Sequence, residues 1–325
     1  MSLLTKLPRN LYKSDAFLNF RPRQAGFDVG NAKAMAWMSQ LAYETDDVPK
    51  IKDVVRDWGV QVVEGGVISE EVATILPQAS TQIVVGIREG VVIIAFAGTD
   101  PLVLADWITD FDIGTIGTGI ANGFNVAARA GWPKLQSLIQ NASTEASILL
   151  TGHSLGGALA VLTAAEFHRL IPGRVASVYT FGMPRVGDVS FAVAYHQMLG
   201  PRTFRLVHGE DIVPTVAPSF LGFRHVGQYI HCSRRGKFPQ STPISTVVSD
   251  EPEFVRGASK ELRQVWHRPI SRALAASERW KLAIALTLGL GPRRTRFDLG
   301  GAAIELLPPR LRDHMPDRYI EAIQY

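Results

Sequence analysis

The sequence contains little cysteine, a modest net charge and no long hydrophobic run. Its single cysteine, Cys232, cannot form a disulfide within the chain, which excludes a disulfide-stabilised scaffold and a zinc site built on cysteines. The longest apolar run, residues 282–291, has ten residues, whereas a membrane-spanning helix needs roughly 20. The net charge of +4 gives no reason to expect nucleic acid as a partner. The remaining composition, 46% hydrophobic and 20% charged, is typical of a globular protein.

The first 20 residues lack the pattern of an export signal. Lys6, Arg9, Lys13 and Asp15 interrupt the apolar residues there, and no small-residue cleavage site follows. We therefore expect a cytoplasmic location, with secretion as the alternative.

The periodicity of the sequence predicts alternating strands and helices. An apolar hairpin is predicted first, with strands over residues 82–87 and 91–96 joined by a short link. The remaining predicted strands are 147–150, 175–181 and 203–207, and the predicted helices are 31–42, 51–58, 124–140, 155–170 and 191–198. This alternation predicts one α/β domain over residues 1–325, with a mainly parallel sheet and helices on both faces. The rhythm is lost over residues 237–300, which we interpret as a helical insertion within that domain.

A nucleophile motif lies between a predicted strand and a predicted helix. Residues 152–156 read G-H-S-L-G, which is the G-x-S-x-G pattern in its strand–turn–helix context. The sharp turn strains the serine backbone, and glycine on either side avoids a clash. Ser154 is therefore the predicted nucleophile. The backbone N–H of Leu155 would lie at the start of a helix, where it can stabilise an oxyanion.

A serine nucleophile needs an acid and a base later in the chain of this fold. Asp188 and Asp211 each follow a predicted strand, and spacing alone leaves both open as the acid, with a slight preference for Asp211. The candidate bases downstream are His225, His231, His267 and His314.

Further motifs occur in a characteristic order around this centre. They are F-A-G-T-D at 96–100, D-W-I-T-D at 106–110, G-F at 123–124, T-G-H-S-L-G-G-A at 151–158, T-F-G-M-P-R-V-G-D at 180–188 and D-I-V-P at 211–214. The set resembles the class 3 lipase family, α/β-hydrolases that include triacylglycerol lipases of filamentous fungi. The resemblance covers residues 30–232 and a short C-terminal piece.

The resemblance implies a role for each matching position. It implies a triad of Ser154, Asp211 and His314, the last because Asp313-His314 followed by an aromatic segment matches the family's base. It places Thr99 beside Leu155 in the oxyanion hole. It also implies structural roles for Asp188 and for His225, which belongs to a non-catalytic F-x-H-x-G element.

The sequence departs from the family pattern in two places. The family usually has histidine two residues before the G-F motif, where this chain has Ala121. His314 also lies 103 residues after Asp211, farther than in the compact fungal enzymes, so His267 stays a rival base.

Two further segments bear on the substrate. The resemblance implies a lid after Thr99, with an apolar acyl-binding face, although these residues could instead pack on the core: Leu102, Val103, Leu104, Trp107 and Ile108. Residues 256–296 carry ten Lys/Arg against two acids, with Trp266 and Trp280, which is typical of a peripheral contact with anionic lipid or of a solvated basic helix face.

The sequence thus predicts a serine carboxylic ester hydrolase, a lipase acting on acylglycerols at a lipid–water interface. No metal or cofactor is expected. The alternatives are an esterase or phospholipase on other acyl esters, and an inactive family member that binds lipid.

Overall fold

A seven-stranded sheet forms the centre of the fold. The computed structural model describes residues 5–72, 80–99, 115–116, 120–141, 145–217, 219, 222–242 and 309–323. The strands are β1 Phe27–Asp28, β2 Gln61–Glu71, β3 Ser80–Arg88, β4 Val91–Phe96, β5 Thr115–Ile116, β6 Ile120–Ala121, β7 Ser147–His153, β8 Val175–Phe181, β9 Thr203–His208, β10 Gln228–Cys232 and β11 Ser241–Thr242. The central sheet has the order β10-β9-β8-β7-β4-β3-β2. Strands β4, β7, β8, β9 and β10 are parallel, whereas β2 and β3 are antiparallel to their neighbours.

Helices cover both faces of this sheet. They are α1 Val29–Leu41, α2 Val48–Asp57, α3 Asn122–Asn141, α4 Leu155–Leu170, α5 Val189–Leu199, α6 Pro309–Arg312 and α7 Pro316–Ala322. Short 3-10 helices occur at Arg9–Leu11, Ser14–Phe17, Ala42–Glu44, Gly200–Arg202 and Val213–Thr215. The predicted α/β architecture is confirmed. None of the helices in the described ranges is long and apolar enough to cross a membrane.

The strand β4 shows why the sheet needs cover on both sides. Its six residues are all buried. Ile93 and Ala95 join a core with α1, α2 and the N-terminal segment, whereas Val92, Ile94 and Phe96 join a second core with α3 and α4. Alternate side chains of a strand point to opposite faces, so a strand that is apolar throughout belongs in the middle of a covered sheet.

The predicted hairpin between β3 and β4 has the tightest possible link. Arg88 pairs with Val91 across the turn, and both linking residues are left-handed, with φ of 50° at Glu89 and 75° at Gly90. Two left-handed residues define the turn whose twist matches that of the adjoining strands.

The sequence periodicity missed the two edge strands. Most of β2 is exposed or half-exposed, and its register shifts between Val62 and Val67, across Gly65 and Gly66. An edge strand faces solvent and carries little apolar alternation, so the pattern that marks buried strands is weak there. The other edge strand, β10, mixes buried Ile230 with exposed His231.

The N-terminal segment, which shows only scattered charge in the sequence, packs on the helices of one face. Phe17 stacks on Trp58 with 5.5 Å between ring centroids. Arg9 donates to Asp57 at 2.7 Å, and it also contacts Asp53. The helix limits also differ slightly from prediction, because α2 begins at Val48 with Asp47 as its N-cap and Pro49 in its first turn.

Candidate active site

Ser154 occupies a strained turn between β7 and α4. Its backbone has φ of 58° and ψ of −129°, and its N–H donates to the carbonyl of Phe181 at 2.8 Å. A Cβ at Gly152 would lie 2.1 Å from the carbonyl oxygen of Gly156, and one at Gly156 would lie 2.4 Å from the carbonyl oxygen of Phe96. Because both approaches are to backbone atoms that cannot move aside, these two positions require glycine.

The side chains of His314 and Asp211 form a buried pair at the end of β9. His314 Nδ1 lies 2.8 Å from Asp211 Oδ2, and both side chains are at most 2% exposed. The other carboxylate oxygen accepts from the N–H of Val213 at 2.9 Å. Tyr319 adds a third bond, since its hydroxyl donates to Oδ2 at 2.5 Å. Burial and the nearby charge of Asp211 raise the pKa of Tyr319 well above its usual value, so the hydroxyl keeps its proton.

Two buried atoms at this place have no hydrogen-bond partner in the described part of the chain. They are Ser154 Oγ and His314 Nε2, and Ser154 is fully buried. Both belong to the same end of the sheet. The carbonyl of Phe181 accepts the Ser154 N–H. The next residue is Gly182, where a Cβ would lie 2.8 Å from His314 Nδ1. Buried polar atoms are normally paired, so their lack of partners marks this place as a site for a reaction or a ligand.

His153 contacts the backbone of His314. Its Nε2 lies 2.7 Å from the His314 carbonyl oxygen, and Nδ1 lies 2.8 Å from the hydroxyl of Tyr43. Because a carbonyl only accepts, Nε2 carries the proton and Nδ1 accepts from Tyr43. Burial, followed by the adjacent His314, holds the pKa of His153 well below its usual value. His153 therefore stays neutral beside a ring whose centroid is 4.5 Å away.

The residues predicted for an oxyanion hole flank Ser154. Leu155 begins α4, so its N–H belongs to the positive end of the helix dipole. Thr99 is half-buried and follows Gly98, where a Cβ would lie 2.7 Å from Ser154 Cβ. The close approach of Gly98 brings the chain that carries Thr99 next to Ser154.

The known proteins that this chain resembles are lipases. A sequence profile described as lipase (class 3) matches residues 93–221. A secreted mono- and diacylglycerol lipase of Fusarium solani is 35% identical over 133 residues, covering 37% of this chain and 38% of that protein. These matches support the class 3 lipase family for the central part of the chain. A lipase of Caenorhabditis elegans is 31% identical over 218 residues, covering 62% of this chain and 59% of that protein.

Solved lipase structures share the fold. The Rhizomucor miehei lipase–propeptide complex superposes with a TM-score of 0.52 at 21% identity, over 64% of this chain and 70% of that one. A lipase from Rhizopus microsporus var. chinensis superposes with a TM-score of 0.52 at 19% identity, over 74% of this chain and 88% of that one. The α/β-hydrolase fold is therefore established. The chain matches less than two thirds of the length of the curated relatives named above.

The other candidate residues make local contacts. Asp188 is the N-cap of α5 and accepts from the N–H of Phe191 at 3.0 Å. His225 is buried, and its Nε2 lies 2.8 Å from the carbonyl oxygen of Pro214. Burial, with the charges of Arg205 and Arg185, holds its pKa well below the usual value. His231 Nε2 lies 2.9 Å from the carbonyl oxygen of Gly209.

Several predicted features lie outside the described residues. They are the lid residues Leu102, Val103, Leu104, Trp107 and Ile108, the rival base His267, the basic segment 256–296 and most of the predicted insertion 237–300. Within 237–242, Phe238 is buried and β11 pairs with β1. In the described ranges, no group of three or more His, Cys, Asp or Glu side chains is arranged to hold a metal ion.

Sequence reasoning missed the residues that support the pair. Tyr43 carries no recognisable sequence signal, because its link to His153 spans 110 residues. His153 occupies the variable position of the G-x-S-x-G motif, and its contact with His314 depends on the tertiary fold.

Proposed function

We propose that the protein is a serine carboxylic ester hydrolase, a lipase that hydrolyses acylglycerols with Ser154, His314 and Asp211 as its triad. The observation that carries the proposal is the strained turn that presents Ser154 at the sheet end that also holds the His314–Asp211 pair. This is the arrangement that an activated serine requires.

The proposed reaction has two steps. His314 Nε2 takes the proton of Ser154 Oγ as that oxygen attacks the ester carbonyl carbon. The tetrahedral oxyanion accepts from the N–H of Leu155 and from Thr99, and its collapse breaks the bond to the alcohol, which leaves with the proton from His314. Water then attacks the acyl-enzyme, with His314 again as the base, which releases the fatty acid and restores Ser154.

Asp211 acts through its bond to His314 Nδ1. A carboxylate there favours the tautomer whose Nε2 is free to accept the serine proton, and it stabilises the imidazolium that follows. The neutral state of His153 suits the same purpose, because His153 then adds no positive charge beside that imidazolium.

The substrate class rests on the relatives. The names of the Fusarium solani and Malassezia globosa proteins describe mono- and diacylglycerol lipases, and the similarity to that family favours an ester substrate at a lipid interface. The alternatives are an esterase or phospholipase on other acyl esters, and an inactive lipid-binding protein. Contact of residues 256–296 with anionic lipid stays a prediction, tested by sedimentation with phosphatidylserine vesicles against phosphatidylcholine vesicles.

A chain-length series tests the proposal. We expect the wild type to hydrolyse p-nitrophenyl butyrate and longer esters, and Ser154→Ala to hydrolyse none of them. We also expect the rate of acylglycerol hydrolysis to rise when the acylglycerol concentration passes the point at which an emulsion forms. Preference for acetate without activation by emulsions would favour the esterase. Equal activity of the wild type and Ser154→Ala would exclude the serine mechanism.

The relatives also bear on the compartment of the protein. The same relatives are named as secreted proteins, which favours secretion over the cytoplasmic location that the N-terminal residues predict. Activity assays on medium and on cell extract of the native host would decide between the two.

A further inference from the structure

Two parallel connections join the loop that carries the proposed acid to the segment that carries the proposed base. The first is the bond between Asp211 Oδ2 and His314 Nδ1. One residue earlier on each side, the N–H of Glu210 donates to Asp313 Oδ2 at 2.9 Å. The two residues before the catalytic pair are thus bonded to each other in the same register.

The guanidinium of Arg234 holds Asp313 in this position as a charged fork, binding its carboxylate through Nε and Nη2. Nε of Arg234 donates to both carboxylate oxygens at 2.9 Å, and its Nη2 lies 2.8 Å from Oδ2. The side chain of Asp313 is 3% exposed, whereas that of Arg234 is 43% exposed. Burial alone would raise the pKa of Asp313, but its bonds to Arg234 and to the Glu210 N–H outweigh burial and lower it. The carboxylate is therefore charged and fully engaged at neutral pH.

The turn after β9 packs closely against the carboxylate of Asp313. Gly209 has φ of 57°, and a Cβ there would lie 2.5 Å from Asp313 Oδ2. The carbonyl of Asp313 also lies 3.3 Å from His208 Nδ1. Asp313 thus inserts into the turn after β9, against residues that directly precede Asp211.

The catalytic pair needs such an anchor because of the chain length between its members. Asp211 and His314 are 103 residues apart in the sequence, so the chain between them cannot by itself fix the geometry of a 2.8 Å bond. Contacts made where the segment docks must supply it.

We propose that Asp313 and Arg234 form a positioning pair that sets the orientation of His314 toward Asp211. The inference rests on the proposed triad. Neither residue is assigned a contact with substrate; the pair acts through the backbone that joins Asp313 to His314. Displacement of a catalytic base by about 1 Å costs on the order of 100-fold in rate.

The test uses Asp313→Asn and Arg234→Gln, each of which removes the charged fork. We expect kcat/KM on p-nitrophenyl butyrate to fall about 10- to 100-fold, mainly through kcat, and Arg234→Lys to recover part of it. The matched control is Arg169→Gln, which removes an exposed arginine that bonds Glu166 one turn away on α4. That control should leave kcat/KM unchanged.

The pKa of His314 separates positioning from a simple charge effect. A weakened bond to Asp211 destabilises the imidazolium and lowers the pKa of His314 in both variants. The loss of charge alone would lower it in Asp313→Asn but raise it in Arg234→Gln. His153, Tyr319 and Asp211 around the ring are unchanged in both variants. Two further groups face the mutated pair: His208, whose pKa the Asp313 charge raises against the effect of burial, and Glu210, whose carboxylate lies 3.6 Å from Arg234. The His208 signal is therefore followed in the same titration.

NMR titration of ¹⁵N-histidine-labelled protein measures this pKa without any substrate, with the His314 signal assigned by its loss in His314→Gln. A fall in both variants supports the proposal. Opposite shifts, or no shift with unchanged kcat/KM, would overturn it. A wild type without esterase activity would defeat the proposed function, while the titration would still decide the positioning role. If Asp313→Asn does not fold, the two Arg234 variants carry the test, because Arg234 is the more exposed partner.

Discussion

Tyr319 and His314 bond the same oxygen of one carboxylate. The hydroxyl of Tyr319 and the Nδ1 of His314 lie 2.5 and 2.8 Å from Asp211 Oδ2. The tyrosine therefore shares the negative charge that would stabilise the imidazolium, and it binds the acid from a helix beyond the base.

Replacement of Tyr319 by phenylalanine removes that bond and keeps the ring. We expect the free energy of unfolding to fall by about 1–3 kcal/mol, because a buried charged acceptor loses a donor. The remaining bond to His314 should strengthen, which raises the pKa of His314 and moves the acid limb of kcat/KM to higher pH. Urea unfolding and a pH–rate profile measure the two effects. A limb that stays in place would show that Tyr319 does not share the charge.

Alanine at Gly182 should disrupt the pair of His314 and Asp211 by contact. A Cβ there would lie 2.6 Å from Asp211 Oδ2 and 2.8 Å from His314 Nδ1. We expect kcat to fall about 100-fold. Gly173→Ala is the matched control, since Gly173 is also left-handed, with φ of 85°, but has nothing within 4 Å of a Cβ. Each variant pays about 1–2 kcal/mol of backbone strain, so equal activity in the two would contradict a specific clash.

The two aspartates that follow strands should behave differently. Asp211→Asn is expected to reduce kcat by about 10⁴-fold through the wrong imidazole tautomer. Asp188→Ala should leave kcat within about twofold and lower the free energy of unfolding by about 1 kcal/mol, because Asp188 caps α5. Steady-state kinetics and urea unfolding of both variants check this. A large loss of kcat in Asp188→Ala would reassign the acid.

The two candidate bases can be separated in the same way. We expect His314→Ala to lose at least about 10³-fold in kcat and His267→Ala to keep wild-type activity on a soluble butyrate ester. Full activity of His314→Ala would show that the base has been assigned wrongly.

Buried histidines should make the stability depend on pH. His153 and His225 have pKa values well below 6.5 in the folded protein. Below about pH 6.5 the unfolded chain binds protons that the native state does not, so stability is fully present above this pH and is lost as the pH falls. Each such histidine costs about 1.4 kcal/mol per pH unit below that point.

Urea unfolding at pH 7.5, 6.5 and 5.5 measures this slope. His225→Gln can keep a donor toward the Pro214 carbonyl without titrating, and it should therefore show a shallower slope than the wild type. Identical slopes in the two proteins would contradict this account of His225.

Much of the fold could be predicted because buried helices and strands place apolar residues at regular spacings in the sequence. The limits of α4 and β8 agree with the prediction, since apolar residues cover both faces of the strand and small residues pack the helix against the sheet. The edge strands β2 and β10 were missed, because a solvated edge needs no such pattern. The C-terminal helix α7 was too short to be recognised, although it supplies Tyr319.

The sequence by itself determined the turn that holds Ser154. The steric demand for glycine at positions 152 and 156 is local, and both glycines lie within one five-residue motif. The sequence also predicted the sheet that supports this turn. Only the tertiary structure decided which distant groups meet there. The bond between Asp211 and His314 spans 103 residues, and Tyr43 reaches His153 across 110. Such contacts depend on how separate helices and strands pack together, and the spacing of residues within one segment does not specify that packing.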